Sequence, residues 1–255
     1  MSSLSYAARD SLTMLRRNVK HARRYPSMTV GVLMMPVVML LLFVYVFGGA
    51  MSAGIGRGAY VDYVAPGILL IAAASAALTA SVSVATDMTE GIINRFRTMA
   101  ISRASVMTGH VAGCVLLTLA SLVLVTGLAV AVGFRPDASP VEWLAAVGVL
   151  ALITLALSWL GAAMGMTAKT VEAASNSPMP LQFLPMLGSA FVPTDTMPTG
   201  ARLFAEYQPF TPVNETLRGL LTGSEIGGAG WTALGWGVGL SVVGYLRARS
   251  VFRRG

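Results

Sequence analysis

Six apolar runs, at roughly residues 29–49, 62–85, 108–133, 141–165, 174–193 and 230–247, decide what this chain can fold into. Each has about 18 residues or more, enough for a helix to cross a hydrocarbon core about 30 Å thick. Lipid offers no partner to backbone N–H and C=O groups, so a spanning segment must satisfy them as a helix or within a closed barrel. The runs lack the alternating pattern of barrel strands, which leaves helices. Only 11% of the residues are charged, against about 25% in soluble domains, too few to cover a water-facing surface. The expectation is an all-α membrane protein with six transmembrane helices, forming a single transmembrane domain over residues 1–255.

The polar residues between the runs set the orientation. Six spans place both termini on one side. All but four of the 18 Lys and Arg residues fall on that side, the exceptions being Arg57, Arg135, Arg202 and Arg218. Basic residues concentrate on the cytoplasmic side of membrane proteins, so both termini are expected in the cytosol and the chain in the plasma membrane as a multi-pass protein. A net charge of +7 on a soluble protein would suggest nucleic acid. Here the cations flank spans, and the expected partner is membrane lipid, with no nucleic acid. Residues 1–28 are polar and basic, and the first apolar run after them is long enough to stay as a span, so no cleavable signal peptide is expected. No internal repeat is visible, which weighs against the inverted-repeat secondary transporters.

Three segments carry more than hydropathy. In residues 1–28, Leu4, Ala8, Leu12, Leu15 and Val19 recur at helical spacing while Arg9, Arg16, Lys20 and Arg23 take another face. This predicts an amphipathic interfacial helix with its cations near anionic headgroups, serving either as a topology anchor or in a conformational role. In the charged loop at 86–103, Asp87 and Glu90 have the spacing of a capping box. Ile92, Ile93, Phe96, Met99 and Ala100 then form an apolar stripe, and Arg95, Arg97 and Arg103 lie toward the C-terminal end. Gly91 costs such a helix about 1 kcal/mol relative to alanine, which points to close packing. The stripe suits a knob for a partner's groove or a helix tucked against the protein's own face. On the outer side, residues 205–223 contain Pro209 and Pro212, with Thr211 as a candidate cap and Val213, Leu217, Leu220 and Leu221 on one side. At about ten residues this helix is too short to span, and a re-entrant element in the outer leaflet is expected, ended by Gly223.

Catalytic constellations are missing from the sequence. His21 and His110 lie far apart, and with Cys114, the single cysteine, they supply too few ligands for a zinc site. Neither H-E-x-x-H nor G-x-S-x-G occurs. The span centres hold no ionisable group of the kind that secondary transporters and channels keep for ion pathways. Small polar residues such as Ser75, Thr79, Ser83, Thr118, Thr154 and Ser158 suit helix packing or, as the alternative, a substrate path. Candidates for that path are Met39, Phe43, Ser75, Thr79, Ser83 and Phe191. The Ala72–Ala77 stretch of the second span would allow close approach at a dimer seam.

The residues of these segments resemble the type-2 ABC exporter permeases, within them the daunorubicin/doxorubicin-resistance type of actinobacteria. The resemblance rests on YVAPGILL at Tyr63–Leu70, Asp87 with Glu90-Gly-Ile-Ile-Asn-Arg-Phe-Arg97 and Ile101-Ser-Arg103, Ser189-Ala-Phe-Val-Pro193 with Met197-Pro198, and Pro209-Phe-Thr-Pro212 with Arg218-Gly-Leu-Leu221. It implies a bacterial permease working with a second permease chain, identical or homologous, and two copies of an ABC ATP-binding subunit. The loop at 86–103 would be the coupling helix that docks on the ATPase, through Asp87, Glu90, Gly91, Ile92, Arg95, Phe96, Arg97 and Arg103. Residues 1–28 would be the connecting helix at the interface. No Walker A sequence occurs, so no cofactor is expected on this chain, which is not itself an enzyme; ATP and Mg would sit on the partner subunit. The implied function is ATP-driven export of a lipophilic or amphipathic compound (drug, antibiotic or lipid). The alternatives are a polysaccharide or complex-lipid permease, or a membrane assembly or regulatory subunit that transports nothing.

Overall fold

The structure is a computed structural model and describes residues 26–51, 57–90 and 103–254. The described residues form helices and connecting turns, with no strand among them. The first helix, α1 (Pro26–Leu41), runs on through a π-helical turn at Leu42–Phe47 and one further turn at Gly48–Met51. Three long helices follow: α2 (Arg57–Thr89, 33 residues), α3 (Arg103–Val132, 30 residues) and α4 (Pro140–Thr167, 28 residues). Within them Tyr60–Thr89, Met107–Val132 and Pro140–Thr167 are long and apolar enough to cross a membrane. At 1.5 Å per residue each is about 40 Å or longer.

The sequence resolves these helices by ordinary end signals. Gly133 ends α3 at φ 126°, a conformation that costs glycine little. Ser139 starts α4 with a capping box: its Oγ accepts from the Glu142 backbone N–H at 3.3 Å, and its own N–H donates to Glu142 Oε2 at 2.6 Å. Pro140 takes the first helical position, where its missing N–H is harmless.

Helix α2 is the centre of the bundle. Ala72, Ala73, Ala74, Ala76 and Ala77 are fully buried within the chain. They do not form the dimer seam expected of them, because the chain's own helices cover them, α4 doing so at Ala77. A Cβ added at Gly161 would overlap the Ala77 carbonyl, and one at Gly165 would overlap that of Ser81. Glycines four apart on α4 thus let two backbones approach closely, the small-residue packing by which helices associate in lipid. The last helix, α9 (Ala229–Arg254, 26 residues), packs along the far side of α4. Gly237 sits against Leu152 and Gly244 against Trp159 and Leu160, while Tyr245 meets Trp159 edge-to-face at 5.1 Å.

The stretch expected as a fifth span is not one helix. It is divided into α5 (Val171–Asn176), α6 (Met179–Phe183) and a 3₁₀ turn at Leu184–Leu187. Pro178, Pro180 and Pro185 remove the backbone donors that a continuous helix needs. Thr170 caps α5, accepting from the Ala173 N–H at 3.1 Å. Two more helices follow, α7 (Thr199–Tyr207) and α8 (Phe210–Thr222). Helix α8 ends at Gly223, φ 73°, as expected, but starts earlier than predicted, after Pro209. Thr211 is therefore inside the helix, and its hydroxyl donates to the Ala205 carbonyl instead of capping.

Candidate functional site

Two polar clusters stand out in this apolar bundle, one at each end. The first lies where α2 ends and α3 begins. The helix that the spacing of Asp87 with Glu90 was expected to open lies outside the described residues, and Asp87 belongs to the last turn of α2. An acid there faces the negative end of the helix dipole and needs a partner. His110 of α3 supplies one: its Nε2 lies 2.9 Å from Asp87 Oδ2, with side-chain exposures of 2% and 8%. Ser83, one turn earlier on α2, is 3.4 Å from the other ring nitrogen. Glu90 extends the helical turn, its N–H donating to the Thr86 carbonyl at 2.9 Å, and its side chain is exposed. Arg103 opens α3. The remaining predicted coupling residues, Gly91, Ile92, Arg95, Phe96 and Arg97, lie outside the described residues, as does the N-terminal amphipathic segment up to residue 25.

The second cluster is at the opposite end, beside the Gly133–Ser139 connection. Here the Arg135 N–H donates to Asp62 Oδ1 at 2.8 Å, and the Asp137 N–H to the Leu221 carbonyl at 3.0 Å, tying the connection to α2 and α8. On α7, Arg202 and Glu206 pair at 2.6 Å; the carboxylate raises the Arg202 pKa. Deeper in, three side chains converge on one backbone carbonyl, that of Ser189. Arg218 donates to it at 2.6 Å, Asn214 at 3.1 Å and the Tyr63 hydroxyl at 3.2 Å. Arg218 also lies over the Tyr63 ring, 3.7 Å from its centroid. A cation stacked on an aromatic face is held by the ring quadrupole as well as by its hydrogen bonds. Sequence reading missed this arrangement. Its only signal is a cation, Arg218, set within the apolar stripe of α8.

The residues proposed for a substrate path separate into three groups. Phe43, on the π-helical turn, stacks on Phe191 with ring centroids 3.9 Å apart and planes 8° from parallel. Met39 is partly buried against the same core. A π-turn inside an α-helix is rare and is often found at functional sites; this one presents Phe43. Ser75 and Thr79 instead turn their hydroxyls onto their own helix, donating to the carbonyls of Ala72 at 2.6 Å and Ser75 at 3.1 Å. Ser83 belongs to the Asp87–His110 cluster. The hydroxyls of Thr154 and Ser158 are buried without a hydrogen-bond partner among the described residues. No group of three or more His, Cys, Asp and Glu side chains that could hold a metal occurs among the described residues.

Comparison with known proteins places this architecture. Residues 10–222 match the family model described as ABC-2 type transporter. A relative from Streptomyces coeruleorubidus, the daunorubicin resistance ABC transporter permease protein DrrB1, is 28% identical over 235 residues, which cover 92% of this chain and 80% of the relative. With a family match spanning most of an all-helical bundle, the chain belongs to the ABC-2 type transporter family.

Proposed function

We propose that this chain is the permease subunit of an ATP-driven exporter that moves a lipophilic or amphipathic compound, a drug-like molecule foremost, out of the cell. The family match over residues 10–222 carries this reading, and the drug-resistance permease among its relatives supports the cargo class. In this reading two permease chains pair with two ATP-binding subunits, which hold ATP and Mg. The first apolar run, α2, α3, α4, the broken 171–187 segment and α9 make six crossings, with both termini and residues 91–102 cytosolic. Helices α7 and α8 then lie at the outer leaflet. At 9 and 13 residues both are too short to cross.

ATP-driven closure of the partner subunits would push a knob at Ile92–Met99. That push reaches the bundle through the ends of α2 and α3, which Asp87 and His110 hold together. Met39, Phe43 and Phe191 offer the cargo an apolar, adaptable wall. The test is drug-susceptibility profiling of an efflux-deficient bacterial host expressing this chain with its ATP-binding subunit. A rise in the inhibitory concentration of lipophilic cationic drugs is expected, and it should disappear when the ATPase is inactivated. An unchanged profile across such drugs, with both proteins present in the membrane, would overturn the drug-export reading.

A further inference from the structure

The four residues Gly188–Phe191 are each fixed by a different contact. Gly188 leaves no room for a Cβ, which would overlap the side chains of Gln208 and Thr211. Ser189 receives the three donors from Arg218, Asn214 and Tyr63 on its carbonyl, and its hydroxyl accepts from Asn214 at 3.3 Å. Ala190 rests on Gly67 of α2, where an added Cβ would come within 2.8 Å of it. Phe191 then stacks on Phe43. A carbonyl oxygen has two lone pairs, so three donors compete for Ser189. The shortest contact is the charge-assisted one from Arg218, the strong type of hydrogen bond. Arg218 is half-buried, and its Nε has no hydrogen-bond partner among the described residues. The guanidinium is thus spent on the Ser189 carbonyl, the Tyr63 carbonyl at 3.3 Å and the Tyr63 ring.

We propose that Arg218 is the latch of an outer gate: by holding the Ser189 carbonyl it keeps Phe191 stacked on Phe43 and closes the bundle to the outside until the transport cycle releases it. The gate rests on the export reading, which puts α7, α8 and Phe191 on the outer side. Arg218 is a positioning residue here, acting on cargo only through Phe191. Helix α8 is the element that would carry the release. Its tie from the Asp137 N–H to the Leu221 carbonyl links it to the α3–α4 connection, so a rocking of those helices would draw Arg218 away from Ser189.

The test uses the full chain, together with its ATP-binding subunit, in whole cells. Cys114, buried and the only cysteine, is replaced by alanine, and single cysteines are read with a membrane-impermeant maleimide added from outside. T199C, exposed at the start of α7, reports the sidedness on which the export reading stands. V192C, half-buried against the core beside Phe191, reports the gate with both rings in place. The expected results are rapid labelling of T199C, slow labelling of V192C, and at least a tenfold rise in the V192C rate when R218Q is added. ATP turnover should speed V192C labelling in the Arg218 chain but add little in R218Q, a difference that a purely structural strut would not produce. R218K, which keeps the charge but not the planar fork, should give a smaller rise in the same direction and serves if R218Q does not reach the membrane. In a chain that retains Cys114, that residue should stay unlabelled with R218Q, excluding general unfolding. Labelled T199C with a V192C rate indifferent to R218Q and R218K overturns the latch alone. An unlabelled T199C overturns the sidedness, and the gate with it.

Discussion

His110 and Asp87 form a buried close pair whose role hydropathy alone does not suggest. Asp87 lies in the last turn of α2 and His110 about two turns into α3, and each is nearly inaccessible. Removing one partner leaves the other without that contact in an apolar site, at a cost of about 1–3 kcal/mol. Asp87→Leu is therefore expected to lower the melting temperature of the detergent-solubilised protein. His110→Leu should cost less in the Asp87→Leu background than in the natural chain, since it then removes a stranded group. Coupling of about 1 kcal/mol or more in the double-mutant cycle would support the pair; additive losses would show that the two residues act independently. Sequence reading gave Asp87 a capping role because it sees spacing along the chain. It has no access to the neighbouring helix, on which His110 lies 23 positions later.

At the level of elements, α2 and α4 are joined by absence of side chain. Gly161 and Gly165 lie four residues apart and face the Ala77 and Ser81 backbone. Gly161→Val would force the helices apart or distort them. Overpacking of this kind costs about 1–3 kcal/mol. A lowered melting temperature of the solubilised variant is expected, and an unchanged one would contradict the close approach. Capping signals were legible with mixed success. Ser139 and Glu142 make the box that their spacing permits, although the notable candidate in the sequence was Asp87 and Glu90. Gly223 ends α8 as its left-handed φ allows. The prolines at 178, 180 and 185 were equally visible, but they sit inside an apolar run, and the window that finds spans averages over them.

For the molecule as a whole, the proposed export needs force to enter at one end of the bundle and a path to open at the other. Phe96→Ala should remove the aromatic anchor of the coupling segment, and buried anchors of this kind contribute on the order of 2 kcal/mol or more to an interface. Loss of ATPase co-purification is the expected outcome, with membrane insertion of the permease intact. Recovery of the ATPase at the natural yield would count against docking through residues 86–103. Arg97→Glu should leave ATP hydrolysis running while efflux falls; an unaltered efflux rate would contradict the coupling role.

The apolar runs determined by themselves that this chain is a helical membrane protein. Water and lipid impose that result locally, one residue at a time, with no need to know which helix meets which. The end signals at Ser139 and Gly223 are local in the same sense. Tertiary structure alone decided that Ala72–Ala77 is buried within the chain, with Ala77 against α4, and that the fifth apolar run is a series of short helices and turns. Only the fold, too, brings Tyr63, Ser189, Asn214 and Arg218 together across 155 residues of sequence. The physical reason is that a hydrogen-bond donor carries no mark of its acceptor. A buried cation must find several partners, and which ones it finds depends on where distant helices come to rest.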